Sequence, residues 1–102
     1  MKRPADFKTK LGGRTWDIRF VTRNNPILGK NWGLCDWENR TIYVCYQTSE
    51  KAFLDTLIHE CQHALSDIHY SAEEWVTQTS TELTLALLAA GVRAETHRRK
   101  KP

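Results

Sequence analysis

Two histidines lie four residues apart, with a glutamate directly after the first, in the pattern His59-Glu60-Cys61-Gln62-His63. An α-helix turns about 100° per residue, so it would project both imidazoles from one face. Two neutral imidazoles one turn apart supply half of a tetrahedral zinc shell, and an adjacent carboxylate can take a proton from a water at the metal. The HExxH spacing therefore indicates a zinc site with Glu60 as the general base.

The elements that must position this pattern fit in one small domain, because the chain has 102 residues, 40% of them hydrophobic. We expect a flexible lead-in over residues 1–13, a minimal domain over 14–92 and a basic tail over 93–102. No apolar stretch is long enough to span a bilayer, and the charged start does not resemble a signal peptide. The three cysteines show no Cys-x-x-Cys spacing, which favours reduced thiols in a cytoplasmic protein.

Charge is segregated along the chain. Residues 1–31 carry eight Lys or Arg and two Asp, a net +6, and residues 93–102 carry five and one Glu, a net +4. Residues 32–92 carry two basic and nine acidic residues, a net −7. The acidic centre suits a bound cation, and the basic ends suit an acidic partner such as nucleic acid. A solvated tail that aids solubility is the alternative for the basic end.

The first half of the chain predicts strands. Trp16, Ile18 and Phe20 alternate with polar residues, which indicates a half-buried strand near 14–21. Short apolar runs near 32–35 and 41–47 predict two more strands, the latter rich in β-branched and aromatic residues. Such a three-stranded sheet needs a helix against one face. The expected fold class is therefore α+β, with two long helices packed on the sheet.

The second half of the chain predicts those helices, at about 50–65 and 72–90. Thr48 or Ser49 supplies the first N-cap, and Ser71 with Glu74 forms a capping box for the second helix. The stripe expected to pack on the sheet consists of Leu54, Leu57, Ile58, Cys61 and Leu65. The two histidines lie on the adjoining stripe, at the border between core and cleft.

A catalytic zinc needs a third protein ligand, and three residues compete for that role. His69 has the spacing of the pattern HExxHxxGxxH, but Ser66 replaces the glycine. Glu73 and Glu74 both lie at the start of the second helix. Helix phase favours Glu73, since it is nearer the apolar stripe of that helix, and the capping box gives Glu74 another role.

Three stretches together resemble small SprT-like or minigluzincin-like zinc metallopeptidase domains of phages and bacteria. They are Gly33-Leu34-Cys35-Asp36 with Thr41-Ile42-Tyr43-Val44, Leu54 to Leu65, and Ser71-Ala72-Glu73-Glu74-Trp75-Val76. The resemblance covers about two thirds of the chain. It implies a zincin-like fold, a Zn²⁺ cofactor, a protein or peptide substrate, and a glutamate early in the second helix as the third ligand. The resemblance thus implies His59, His63 and Glu74 as the metal ligands, with Glu73 as the alternative to Glu74.

A zinc-dependent metallopeptidase is the expected function, with a non-catalytic, metal-stabilised binding module for protein or nucleic acid as the alternative. Tyr70, or alternatively His69, on the loop between the helices, is expected to assist catalysis by donating to the oxyanion. The strand near 41–47, expected at an edge of the sheet, would align an extended substrate by β-augmentation. Asp55 and Thr56, one turn before the histidines, are expected to hydrogen-bond an imidazole N–H.

Overall fold

A mixed four-stranded sheet and two helices make up the described part of the chain. The computed structural model describes residues 2–65 and 73–89, apart from the side chains of residues 74, 75 and 78. The strands are β1 (Phe7–Leu11), β2 (Arg14–Val21), β3 (Gly33–Asp36) and β4 (Thr41–Cys45), and the helices are α1 (Glu50–Leu65) and α2 (Glu73–Ala89). The α+β prediction and both helices are confirmed, but the sheet has four strands where we expected three.

The additional strand is β1, which lies within the stretch expected to be a flexible lead-in. It pairs antiparallel with β2, from Phe7 opposite Ile18 to Leu11 opposite Arg14. Gly12 and Gly13 join the strands with φ values of 62° and 81°. Two successive residues at positive φ are typical of the tight hairpin turn that matches strand twist, and glycine adopts them without strain. The sequence of β1 is polar and contains lysines, so it lacks the apolar alternation by which β2 was predicted.

Strand order places β4 inside the sheet. The order is β1-β2-β4-β3, with β2 and β4 parallel and β3 and β4 antiparallel. The expectation that the strand near 41–47 forms an edge is therefore wrong. Within the described residues the outer strands are β1 and β3, because the crossover after β2 leads to β3 at the far side before the chain returns in β4.

The core lies between the sheet and α1. Its buried cluster consists of Trp16, Ile18, Phe20, Ile42, Val44, Phe53, Leu54 and Ala64. The alternating residues predicted for β2 are among them, at 0 to 4% exposure. The predicted stripe of α1 is correct at Leu54, Leu57 and Cys61, which belong to this cluster or pack against it, and wrong at Leu65, which is 53% exposed. Phe53 and Ala64 are buried in its place, so the buried face of α1 is rotated from the one that we expected.

Helix α2 packs on α1. Gln62 donates from Nε2 to the Thr79 hydroxyl at 2.7 Å, and the Thr81 hydroxyl donates to Asp55 Oδ2 at 3.2 Å. Later residues of α2 thus meet earlier residues of α1, as in an antiparallel pair, so the start of α2 lies beside the end of α1. Neither helix is long and apolar enough to cross a membrane.

Candidate metal centre

The two histidines of the HExxH pattern lie on the last two turns of α1. The helix starts at a cap in which Ala52 N donates to Ser49 Oγ at 3.1 Å, as the sequence predicts. The imidazoles of His59 and His63 face each other, with Nε2 atoms 3.2 Å apart and ring centroids 4.9 Å apart. Their side chains are 19% and 16% exposed. Both rings are therefore held by packing while their Nε2 atoms share one accessible point.

Glu73, the first residue of α2, brings a carboxylate to the same point. Its Oε2 lies 2.7 Å from His59 Nε2, and its Oε1 lies 3.2 Å from His63 Nε2. The Glu73 side chain is 65% exposed, so it approaches from the solvent side of the pair. The three residues form the one group of potential metal ligands found within the described residues, with ligand atoms all within 4.8 Å of one another.

These three residues fit a zinc ion. Zinc bonds of 2.0–2.2 Å in a tetrahedral shell place neighbouring ligand atoms roughly 3.3 Å apart, close to the separations of 2.7 to 3.2 Å found here. Two neutral imidazoles cannot both donate a proton across one short N···N contact, whereas both can offer lone pairs to a cation. A fourth position would stay open for water or substrate, as in catalytic zinc sites.

The structure thus brings together His59, His63 and Glu73, the residue that helix phase favoured. The backbone of Glu74 is part of α2, but its side chain lies outside the described part, so its predicted ligand role stays a prediction. His69 and Tyr70 also lie outside the described residues, and their predicted roles are likewise untested.

Glu60 is a buried carboxylate next to the metal cluster. It is 8% exposed and lines the same cleft as the histidines. Burial, with a smaller contribution from the negative charge of Glu73, raises the pKa of Glu60 from 4.5 to about 7. A carboxyl group with such a pKa exchanges protons near neutral pH, as a general base and acid must.

Gly33 lets β3 lie directly over Glu60. A Cβ at this position would lie 2.6 Å from Thr56 Cγ2 and 3.0 Å from both Cγ and Oε2 of Glu60. Real Cβ atoms do not approach other heavy atoms to 2.6 Å, so only glycine allows this distance between strand and helix. The Glu60 carboxylate is thereby confined between α1 and the strand.

A cleft of about 680 Å³ contains the cluster and Glu60. It is lined by Asn31, Trp32, Gly33, Leu34, Cys35, Trp37, Asp55, Thr56, His59, Glu60, His63, Glu73, Thr77 and Ser80. Asp55 and Thr56 lie in it, as expected, but the hydrogen bond found for Asp55 comes from Thr81 and ties the two helices together. Their predicted bonds to an imidazole stay a prediction.

The cysteines lie close to this site without joining it. Cys61 packs against the core, as predicted, and burial raises the pKa of its thiol to about 11. Cys35 is on β3 in the cleft wall, and burial, together with the nearby Glu60, raises its pKa to about 12. Neither thiol belongs to the group of potential ligand atoms found within the described residues. All three cysteines are free.

The segment before β3 contributes to the cleft, which the sequence did not predict. Asn31 and Trp32 line the cleft, and Trp32 is 47% exposed. A tryptophan followed directly by glycine, within a loop-forming segment, was the available signal, because glycine marks a close backbone approach.

Comparison of the chain with protein-family models, characterised proteins and solved structures found no significant match.

Proposed function

We propose that this protein is a zinc-dependent peptidase of the gluzincin type, with His59, His63 and Glu73 as metal ligands. One observation carries the proposal: three ligand atoms from two helices face one point, beside a buried carboxylate in an accessible cleft. A structural zinc site would have four protein ligands and no need for that carboxylate. The proposal replaces Glu74 by Glu73, because only the Glu73 carboxylate has a described contact with the histidines.

Zinc in this site would supply a Lewis acid that polarises the substrate carbonyl and acidifies water. The chain supplies the proton transfer. Glu60 accepts a proton on its carboxylate and later returns it to the leaving amine. Its burial between α1 and β3 keeps the carboxylate away from bulk water, and in the metal-free chain it raises the pKa of Glu60 to about 7.

The free edge of β3 is the best candidate for aligning a substrate, in place of the strand near 41–47. Trp32 O accepts from Cys45 N at 2.9 Å, so the backbone of Trp32 faces β4. Backbone groups alternate in direction along an antiparallel strand, so those of Gly33 and Cys35 face outward. An extended peptide could pair with them directly above Glu60. Within the described residues, α2 packs on α1 and does not contact β3.

The experiment is hydrolysis of an unstructured protein by the zinc-loaded chain and by Glu60→Gln. We expect the variant to keep its zinc and to lose between about 10²- and 10⁴-fold in rate, which is the usual contribution of a general base. Glu38→Gln removes an exposed carboxylate outside the cleft and should leave the rate unchanged.

The non-catalytic binding module is the competing outcome of this experiment. It predicts bound zinc without hydrolysis in wild type. Full activity of Glu60→Gln would instead show that another group moves the proton. The predicted nucleic-acid partner depends partly on the basic residues 93–102, which lie outside the described residues, and stays a prediction.

A further inference from the structure

Trp32 is a large apolar side chain left exposed at the wall of the cleft. It directly precedes β3, is 47% exposed, and lines the cleft that contains the metal cluster. Isolated exposed apolar side chains are common on protein surfaces. Trp32 differs because a cation–π contact with Arg23 orients its ring.

Arg23 fixes that orientation. Its guanidinium carbon lies 4.6 Å from the centroid of the Trp32 ring, in a cation–π contact. The same guanidinium donates to the carbonyl of Asn31 at 2.9 Å and to that of Gly29 at 3.2 Å. The Arg23 backbone N–H is itself held by Gln47 Oε1 at 2.8 Å. The loop that ends at Trp32 is thus tied to the end of β2, and the indole is oriented before any ligand binds.

Leu34 lies two residues after Trp32 and also lines the cleft. Side chains alternate between the two faces of a strand, so Trp32 and Leu34 share one face and Gly33 and Cys35 the other. The Gly33 position faces Glu60 on α1. Trp32 and Leu34 therefore lie on the face away from α1, and both line the cleft.

We propose that Trp32, held by Arg23, is a specificity-determining residue that selects peptides with a large apolar side chain at one position near the cleaved bond. This inference rests on the proposed peptidase function. A peptide paired with the outward backbone of Gly33 and Cys35 places alternate side chains beside Trp32 and Leu34, at the distance of cross-strand neighbours. Apolar contact at such a site discriminates between large and small side chains by about 10- to 200-fold. Arg23 acts as a positioning residue.

The experiment uses one cleaved peptide in which each position near the scissile bond is Ala or Phe in turn. For wild type, we expect Phe to raise kcat/KM by about tenfold or more at one position, mainly through KM. Trp32→Ala should reduce that ratio to near one, by lowering kcat/KM for the Phe peptide much more than for the Ala peptide. Arg23→Leu should reduce the ratio partly, since it frees the indole without removing it.

Phe7→Ala is the matched control, because Phe7 is an aromatic residue of similar exposure, 48%, on the opposite edge strand. It should keep the preference for Phe. A preference that survives Trp32→Ala, in a variant with wild-type far-UV circular dichroism and zinc content, would overturn the inference while the peptidase function stands.

Calorimetric binding of the same peptides to zinc-loaded Glu60→Gln provides a readout that does not depend on turnover. Tighter binding of the Phe peptide, lost in Glu60→Gln/Trp32→Ala, would support the inference even if wild type cleaves nothing. Equal affinity for both peptides, or binding of neither, would overturn it.

Discussion

The two outer strands of the sheet, β1 and β3, differ in the side chains found at their edges. The outer edge formed by β1 carries lysines and is continued by polar side chains that bond to the next strand. The edge formed by β3 has Gly33, Leu34 and Cys35 before its last residue, Asp36, and lies over a buried carboxylate. Charged side chains discourage pairing of β1 with another chain, whereas no described residue covers the outer edge of β3 beside His59, His63 and Glu73.

The β1 edge is protected by specific contacts. Lys8 Nζ lies 2.6 Å from Asp17 Oδ1 across the strand pair. Just before β1 begins, Arg3 and Asp6 bond to the same neighbouring strand: Phe20 N donates to Asp6 Oδ1 at 2.9 Å, and Arg3 Nε donates to Phe20 O at 3.1 Å. The backbone of β2 is thus satisfied beyond the hairpin, and a further strand would have to displace these side chains.

We expect the largest effect from adding a side chain at Gly33, where β3 lies over Glu60. We expect Gly33→Val to lower the hydrolysis rate by at least about 10²-fold, because displacement of a catalytic group by about 1 Å costs that much. The new atoms would push Glu60 and Thr56 from positions only 2.6 to 3.0 Å away. Zinc content should stay unchanged, since neither residue is one of the three ligands.

Two further variants test this explanation, and both are assayed for hydrolysis and zinc content. Thr56→Ser removes the methyl group at 2.6 Å and should partly rescue Gly33→Ala, the milder variant. Lys10→Ala, on the opposite edge, should leave hydrolysis at the wild-type rate. If Gly33→Val is fully active, the account of β3 lying over Glu60 is wrong.

The carboxylates beside the two edges should respond to pH in opposite directions. The hydrogen bond from Lys8 lowers the pKa of Asp17, so its contribution to stability is present above pH 3.8 and is lost as pH falls through the lowered pKa. Burial raises the pKa of Glu60 from 4.5 to about 7, so the folded state favours its protonated form. In metal-free protein, stability should therefore fall as pH rises from 4.5 through about 7.

Urea unfolding of chelator-treated wild type and Glu60→Gln tests this prediction. A pKa shift from 4.5 to about 7 corresponds to about 3 kcal/mol, so the variant should gain up to that amount over wild type between pH 4.5 and pH 8. A free-energy difference between the two proteins that is independent of pH would show that Glu60 is not destabilised by its charge.

Local sequence predicts some features of this structure, whereas others depend on packing between segments that are distant in sequence. The positions of His59, Glu60 and His63 on one helix follow from local periodicity and an N-cap at Ser49. Their relation to Glu73 depends on how α2 packs against α1, and one residue of register turns a helix by about 100°. Helix phase pointed to Glu73, while the family resemblance pointed to Glu74.

Strand order was not predictable for a similar reason. The composition of β4 shows that it is a strand but not which strands flank it, so its central position came only from the structure. The hairpin of β1 did have a local signal, the pair Gly12-Gly13, which is typical of two-residue turns. The role of Gly33 depends on the distance between β3 and α1, which no local pattern contains.

The most direct test of the metal centre is zinc binding by wild type, Glu73→Ala and Glu74→Ala, measured by equilibrium dialysis with elemental analysis. We predict about one zinc per chain in wild type and in Glu74→Ala, and at least a tenfold weaker affinity in Glu73→Ala, which loses one of three protein ligands. Loss of zinc in Glu74→Ala but not in Glu73→Ala, or no zinc binding by wild type, would contradict the account.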